Sequence, residues 1–356
     1  MLPASREKKD ISQLQKMSTD KTTIKITNGD SVMAQTPFII SASRATDIPA
    51  FYADWFIERL KQGYVKWKNP FNGVPLYVSF EQARLIVFWS KNPKPMLKHL
   101  DYLDERNINY YFQYTLNDYD NEGIEKGVPK VAARIDTFQQ LADRIGKEKV
   151  IWRFDPLILT DTVGVDELLR KVENTGNQLQ GYTDKLVFSF ADIRQYKKVQ
   201  TNLDKSSTNY REFDEVQMHT FASELQKLNK TWNYEIGTCA EPILLEQYGI
   251  GHNKCVDDDL IIRLFPHDKQ LMDFLGVKII PPDIFNANPS IEKTRNNRDK
   301  GQRMFCECIV SKDIGEYNTC PHQCEYCYAN TNPKAALANW KRFKGNMNTD
   351  SISGEI

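Results

Sequence analysis

Short apolar runs alternate with segments of helical periodicity along most of this chain. From Phe38 onward, β-branched and aromatic runs are each followed by a polar cluster, and then by apolar residues spaced as on one helix face. The predicted strands are Phe38–Ser43, Leu85–Ser90, Tyr110–Thr115, Val150–Phe154, Lys185–Phe190 and Tyr234–Thr238. The predicted helices between them are Ala50–Gln62, Pro95–Asn107, Val131–Ile145, Val165–Gln178 and Phe213–Asn229.

This alternation predicts an α/β fold with a parallel sheet. The repeated units, without a G-x-G-x-x-G motif, favour a (β/α) barrel, complete or partial, over a flat doubly wound sheet. Residues 257–300 are typical of one more helical stretch followed by a polar connector. The predicted divisions are an N-terminal extension (1–36), a (β/α)-barrel domain (37–300), a cysteine-rich cluster loop (301–332) and a C-terminal tail (333–356). In the extension, Asn28-Gly29 predicts the turn of a short hairpin.

Polar side chains follow each predicted strand, at the end where barrels carry their functional groups. Any one of them could be a turn former or a helix cap, as Thr46, Asp47 and Asp192 suggest. Together they predict a site for a charged or zwitterionic small molecule. The candidate catalytic residues are Arg44, Lys91, Arg153, Asp155 and Glu241. The candidate cofactor-binding residues are Ser43, Arg44, Gln113, Arg153 and Ser189.

Charge and hydropathy limit the partners. Lys and Arg total 47, as do Asp and Glu, so no net field attracts nucleic acid or an anionic membrane. Local basic clusters remain at Lys197-Lys198 and Arg295–Arg303, so nucleic acid stays open as a weakly supported partner. No run approaches the roughly 20 apolar residues of a membrane span, and the first residues lack a signal-peptide core. We therefore expect a cytoplasmic protein without a membrane partner.

The cysteines give the most specific signal. None of the seven precedes Cys239, and five lie between Cys306 and Cys327. Cys320, Cys324 and Cys327 have the spacing C-x3-C-x2-C. Three thiolates bind three irons of a [4Fe–4S] cluster, which ordinarily takes four cysteines, so the fourth iron is open to another ligand.

The segment CPHQCEYCYA resembles the radical S-adenosylmethionine (SAM) signature, most closely in the form found in spore photoproduct lyase-like enzymes. The resemblance implies that Cys320, Cys324 and Cys327 hold a [4Fe–4S] cluster and that SAM occupies the fourth iron. It further implies a reductant such as flavodoxin or ferredoxin, and cleavage of SAM to a 5′-deoxyadenosyl radical that acts on a small-molecule or unknown substrate.

The position of this loop departs from the usual pattern, in which it follows the first barrel strand. The motifs SASRATDIPAFYADWF, VFWSKNP and WRFDP, with the terminal cysteines, resemble an uncharacterised bacterial family with this C-terminal placement, over about residues 37–332. The first and last elements of a closed barrel are neighbours, so a terminal loop can reach the same mouth.

Other metal arrangements remain open. Cys239, Cys255, Cys306 and Cys308 could hold a second Fe–S cluster or a structural zinc, or Cys239 and Cys255 could be buried thiols. A zinc knuckle would use Cys306, Cys308, Cys324 and Cys327 and leave Cys320 unused. The alternative function is a non-catalytic Fe–S or zinc protein with a structural, redox-sensing or electron-transfer role.

Overall fold

The strands of the computed structural model form one large and several small sheets. The structure describes residues 21–70, 72–194, 196–206, 208–280 and 290–354. The strands are β1 (Lys21–Lys25), β2 (Ser31–Gln35), β3 (Ile39–Ala42), β4 (Tyr64–Lys68), β5 (Pro75–Ser79), β6 (Leu85–Ser90), β7 (Asn109–Thr115), β8 (Val150–Leu157), β9 (Leu159–Thr160), β10 (Lys185–Phe190), β11 (Tyr210–Arg211), β12 (Glu235–Thr238), β13 (Ile250–His252), β14 (Val277–Ile280), β15 (Ser290–Lys293) and β16 (Lys312–Asp313).

Helices connect most of the longer strands. They are α1 (Ile48–Phe51), α2 (Ala53–Gln62), α3 (Leu100–Glu105), α4 (Val131–Ile145), α5 (Val165–Leu179), α6 (Lys197–Leu203), α7 (Glu215–Trp232), α8 (Asp258–Leu264), α9 (Lys269–Leu275) and α10 (Pro333–Gly345). Short 3₁₀ helices span Lys94–His99, Lys147–Lys149 and Glu246–Tyr248.

The largest sheet contains eight strands in the order β13-β12-β10-β8-β7-β6-β3-β16, and every neighbouring pair is parallel. This confirms the predicted α/β class. Among the described residues the sheet is open, because its edge strands β13 and β16 do not pair with each other.

Both faces of this sheet are buried, which explains why its strands have nearly continuous apolar sequences. Alternate residues pack into two separate cores. Ile86 and Phe88 of β6 pack in one with residues of the surrounding helices. Leu85 and Val87 pack in the other, which includes Val256, α8 and α9.

The segment after residue 305 approaches both edges of the sheet. The backbone N–H of Ile309 donates to the carbonyl of Val256, beyond β13, at 3.0 Å. Four residues later, Asp313 in β16 pairs with Ser41 of β3. Chain from the C-terminal region therefore lies next to β3 and next to the segment that follows β13.

A second sheet, in the order β1-β2-β5-β4, contains the predicted hairpin. β1 and β2 are antiparallel on either side of Asn28-Gly29, which confirms the turn. Gly29 has a φ of +91°, a backbone conformation that residues other than glycine rarely adopt. Residues 1–20 of the predicted extension lie outside the described residues.

All six predicted strands are confirmed, with ends displaced by up to three residues. The predicted helix Val131–Ile145 is confirmed as α4, and Val165–Gln178 and Phe213–Asn229 are confirmed with shifted ends, as α5 and α7. The prediction of one helix over Ala50–Gln62 is wrong, because the chain leaves helical geometry at Tyr52 and forms α1 and α2. The α-helix predicted at Pro95–Asn107 is also wrong over its first half, where the chain forms a 3₁₀ helix instead. Pro93 and Pro95 lack backbone donors there, and the segment begins as a 3₁₀ helix.

The single helical stretch predicted after residue 257 is divided into α8 and α9. Pro266, which has no N–H, follows the end of α8, and Asp268 begins α9 by accepting a hydrogen bond from the backbone of Leu271 at 3.1 Å. Beyond α9, part of the predicted connector forms the antiparallel pair β14 and β15. No helix within the described part of the chain is long and apolar enough to cross a membrane.

Candidate functional site

A cavity of about 580 Å³ lies at the carboxyl ends of the parallel strands. All seven cysteines line it. Of the other predicted site residues, the cavity is lined by Ser43, Arg44, Lys91, Arg153, Asp155, Ser189 and Glu241. Gln113 does not line it. Its side chain is buried beneath, where it accepts a hydrogen bond from Arg153 at 3.1 Å and donates one to the carbonyl of Cys255 at 2.8 Å.

The loop that carries Cys320, Cys324 and Cys327 is held against the segment after β7. The N–H of Glu325 donates to the carbonyl of Ile124 at 2.9 Å, and the N–H of Gly127 donates to the carbonyl of His322 at 2.7 Å. A Cβ on Gly127 would lie 2.6 Å from the carbonyl oxygen of Pro321. Glycine is therefore required for this close backbone contact.

Asp47 joins three parts of the site. It begins α1 by accepting from the N–H of Ala50 at 3.0 Å. It also accepts from the Ser90 hydroxyl at 2.6 Å, from the Lys91 N–H at 2.7 Å and from His322 Nε2 at 2.7 Å. The helix-cap role that the sequence suggested is confirmed, but the same carboxylate also binds the cysteine loop to the end of β6.

Lys91 and Tyr326 form a buried polar group with Glu125. Lys91 Nζ lies 2.8 Å from Glu125 Oε1 and 2.9 Å from the Tyr326 hydroxyl, which also donates to Glu125. Burial favours the neutral acid, but Lys91 and then Arg134 outweigh it and lower the pKa of Glu125 to about 2. The group therefore contains an ion pair next to Cys324 and Cys327.

Burial favours the neutral form of the three loop thiols. Burial raises the pKa of Cys320 to about 12, and it raises the pKa values of Cys324 and Cys327 above their usual range. Lys91 opposes this effect at Cys324. Metal binding requires thiolates, so a metal would displace protons here and its affinity would increase with pH.

Arg44 and Arg153 lie on the ring of Trp89, with guanidinium carbons 4.9 Å and 5.3 Å from its centre. Asp313 holds the backbone N–H of Arg44 at 2.8 Å and approaches its guanidinium at 4.0 Å. Arg44 Nη2 and Trp89 Nε1 are nevertheless buried without an acceptor among the described residues. Two donors beside the cavity are therefore available to a ligand.

Arg153 and Asp155 form an ion pair at the end of β8. Ser189 donates to the other oxygen of Asp155. Burial raises the pKa of this carboxyl group, but Arg153 and Ser189 outweigh it, so the pKa lies below its ordinary value. Asp155 is thus an anionic acceptor at the cavity wall.

Glu241 differs from Asp155 in its protonation. It accepts a hydrogen bond from the N–H of Phe190 at 3.0 Å and is only 2% exposed. Burial, followed by the charge of Asp192, raises the pKa of Glu241 to about 8. It is therefore mostly a neutral acid at pH 7, which suits proton donation.

The other four cysteines lie together on the cavity wall. Cys239 follows β12, Cys255 follows β13, and their Sγ atoms are 3.5 Å apart. Cys308 Sγ accepts from the N–H of Cys255 at 3.2 Å, and Cys306 also interacts with Cys308. This interaction lowers the pKa of Cys306 to about 7.

Sequence reasoning missed several residues of the cavity. Tyr196, Tyr317 and Tyr328 line it as an aromatic wall, with Arg303 over the ring of Tyr196. Sequence reasoning also missed Asp313, which does not line the cavity but accepts a hydrogen bond at 2.6 Å from the hydroxyl of Ser43, which does. Tyrosines that flank the cysteines and basic residues of a connector are visible in the sequence, but no local pattern brings them together.

Comparisons with known proteins supply a family but no activity. No curated protein matches the chain significantly. A crystal structure of a Bacteroides thetaiotaomicron VPI-5482 protein assigned as an alpha-L-fucosidase is similar at 12% identity, covering 48% of this chain and 77% of that chain with a TM-score of 0.25. A likeness this weak carries no argument. The model of the family described as "Domain of unknown function (DUF1848)" matches residues 39–329, and the chain therefore belongs to the DUF1848 family.

Proposed function

We propose that this protein is a radical SAM-like enzyme that binds a [4Fe–4S] cluster through Cys320, Cys324 and Cys327. The observation that carries the proposal is that these three thiols line one cavity with the charged residues that follow the parallel strands. These three cysteines would hold the cluster, which, when reduced and bound to SAM, would supply the chemistry of SAM cleavage to methionine and a 5′-deoxyadenosyl radical for hydrogen abstraction. The electron would come from a reductant such as flavodoxin or ferredoxin.

The donor set fits such a cluster. Three thiols leave one iron of a cubane without a protein ligand. The loop backbone is fixed on both sides of the thiols, since Asn330 donates to the carbonyl of Cys320 at 2.9 Å and Asn202 donates to the carbonyl of Cys327 at 3.1 Å. A preorganised loop of this kind costs little ordering entropy when the cluster binds.

The cavity also offers groups for a zwitterionic ligand such as SAM. The whole cavity, of which a cluster would occupy part, has a volume of about 580 Å³, within the usual range of small-molecule sites. Arg44 offers a buried guanidinium N–H for a carboxylate, and Asp155 offers an anionic acceptor for an ammonium group. Glu241, whose pKa is raised to about 8, would hold a proton for the reaction.

We also propose that the parallel strands form a partial (β/α) barrel. The support is that residues 309–313 hydrogen-bond to chain beyond β13 on one side and pair with β3 on the other. This arrangement would explain how a C-terminal loop reaches the position that usually follows the first strand.

The test is anaerobic reconstitution with iron and sulfide, followed by electron paramagnetic resonance (EPR) of the reduced protein with and without SAM. We expect a [4Fe–4S] signal that SAM shifts and that the variant Cys327→Ala lacks. Arg44→Met should keep the cluster. It should raise the SAM concentration that gives half of the EPR shift about tenfold, as expected for loss of a charged hydrogen bond. A cluster indifferent to SAM would favour the alternative, a non-catalytic redox or structural Fe–S protein, and zinc in place of iron would favour a structural site.

A further inference from the structure

The four cysteines outside the loop motif come from three separate parts of the chain. Two follow neighbouring parallel strands, and the other two precede β16. Cys255 and Cys308 are nearly inaccessible, at 3% and 2% exposure. The 309–313 segment fixes their approach, because the Ile309 N–H bonds to the carbonyl of Val256. Convergence of four thiols from distant positions, all on one cavity wall, is the arrangement of a ligand set for a soft metal.

We propose that Cys239, Cys255, Cys306 and Cys308 bind a second Fe–S cluster of the [4Fe–4S] type, in the same cavity as the first. The site does not depend on SAM cleavage, so it can be correct even if the proposed function is wrong. Four cysteines saturate a cubane. The second cluster would therefore have no iron open to SAM and would serve electron transfer.

Hydrogen-bond donors face two of the four sulfurs, those of Cys255 and Cys308. Arg153 Nη1 lies 3.0 Å from Cys255 Sγ, and the amide of Asn253 lies 3.2 Å from the same atom. The backbone N–H groups of Cys255 and Val256 point to Cys308 Sγ at 3.2 and 3.5 Å. N–H donors and a guanidinium stabilise the negative charge of a cluster and its ligands, and such bonds tune Fe–S reduction potentials.

The four sulfurs are not arranged as a preformed site for one zinc ion. Tetrahedral zinc with bonds of about 2.3 Å places every pair of sulfurs about 3.8 Å apart. Cys239 and Cys255 have about that spacing, at 3.5 Å. However, no three of the four Sγ atoms lie within 4.8 Å of one another, as judged over the described residues. The set is therefore more spread than the tetrahedron around one zinc ion, whereas a cubane, whose four cysteine sulfurs bind different irons, requires Cys239 and Cys255 to move farther apart than they lie here. A separation of 3.5 Å is also far beyond the S–S bond of about 2.05 Å in a disulfide.

The experiment compares iron and sulfide content after anaerobic reconstitution of the full chain. The wild type should bind about eight irons, and the triple variant Cys320→Ser, Cys324→Ser, Cys327→Ser should retain about four, with a reduced EPR signal that SAM does not shift. Cys306 is half-buried, so Cys306→Ser in the triple-variant background should not unfold the chain, as checked by circular dichroism. It should change the EPR signal that the triple variant retains.

A triple variant that folds but binds no iron would overturn the second cluster, and so would one zinc per chain held by these four cysteines. A wild type with about four irons, whose EPR signal SAM shifts, and a triple variant without iron would leave the proposed function intact but would remove this inference. Conversely, about four irons retained in the triple variant, with a wild type that ignores SAM, would support this site and remove the proposed function.

Discussion

Lys91 Nζ lies 2.9 Å from the hydroxyl of Tyr326, a residue 235 positions later in the sequence. Lys91 follows β6, and Tyr326 precedes the last cysteine of the loop. Their contact, together with Glu125, ties the cysteine loop to the carboxyl ends of the parallel strands. The position of the three thiols therefore depends on a buried ion pair that the loop itself does not contain.

The variant Lys91→Met should reduce the free energy of unfolding by about 3 kcal/mol, because it leaves the buried Glu125 without its nearest cation. The double variant Lys91→Met, Glu125→Gln should recover more than half of this loss. Chemical denaturation measures both. Lys61→Met is the control, since its exposed pair with Glu58 at 3.7 Å should be worth less than about 0.5 kcal/mol. Equal losses of unfolding free energy in Lys91→Met and Lys61→Met would contradict the role of the buried pair.

Asp47→Asn should destabilise the chain by about 2 kcal/mol and weaken iron retention by the loop. The reason is that an amide replaces one acceptor oxygen by a donor where four donors converge, among them His322 Nε2. Asp214→Asn is the matched control, because Asp214 begins α7 at an exposed position and asparagine caps helices equally well. Unchanged thermal unfolding and iron retention in Asp47→Asn would show that this carboxylate does not hold the loop.

Gly127→Ala should displace the cysteine loop, because the new methyl group would lie 2.6 Å from the carbonyl oxygen of Pro321 and 2.9 Å from His322 Cα. We expect a loss of about 1–3 kcal/mol in stability and loss of the SAM-dependent EPR shift. Gly345→Ala, in α10, should have neither effect because nothing lies within 4 Å of its added Cβ. Full iron content with an unchanged EPR spectrum in Gly127→Ala would contradict the close-contact argument.

Lys312 should make stability increase with pH in the alkaline range. Burial lowers its pKa from 10.5 to about 8, although Asp313 opposes the effect. Between pH 8 and 10.5 the unfolded chain therefore binds more protons than the folded chain, so the free energy of unfolding contributed by this group rises with pH and is lowest below pH 8.

Denaturation at several pH values should show the wild type gaining stability relative to Lys312→Met from pH 8 to pH 10. Lys312→Arg, which stays charged throughout, should gain no such advantage. A constant difference between the wild type and Lys312→Met over this range would mean that the Lys312 ammonium, which lies 3.2 Å from the centre of the Trp67 ring, keeps an ordinary pKa.

The sequence predicted the longer parallel strands well because both of their faces are buried. Such strands are continuous apolar runs, and β6 and β10 were found with their observed ends. The short strands β13 and β16, of three and two residues, have no run to detect and are defined only by their neighbours. The break at Tyr52 was also missed, since α1 and α2 together have one helical pattern.

The sequence alone determined the spacing of Cys320, Cys324 and Cys327 and the order of strands and helices, because both depend on residues that are close in the chain. Only the tertiary structure decided that Cys239 and Cys255 meet Cys306 and Cys308, and that Asp313 bonds to Ser43 across 270 positions. The physical reason is that such contacts form where strand ends converge. Their partners are selected by packing of the whole sheet rather than by any local pattern.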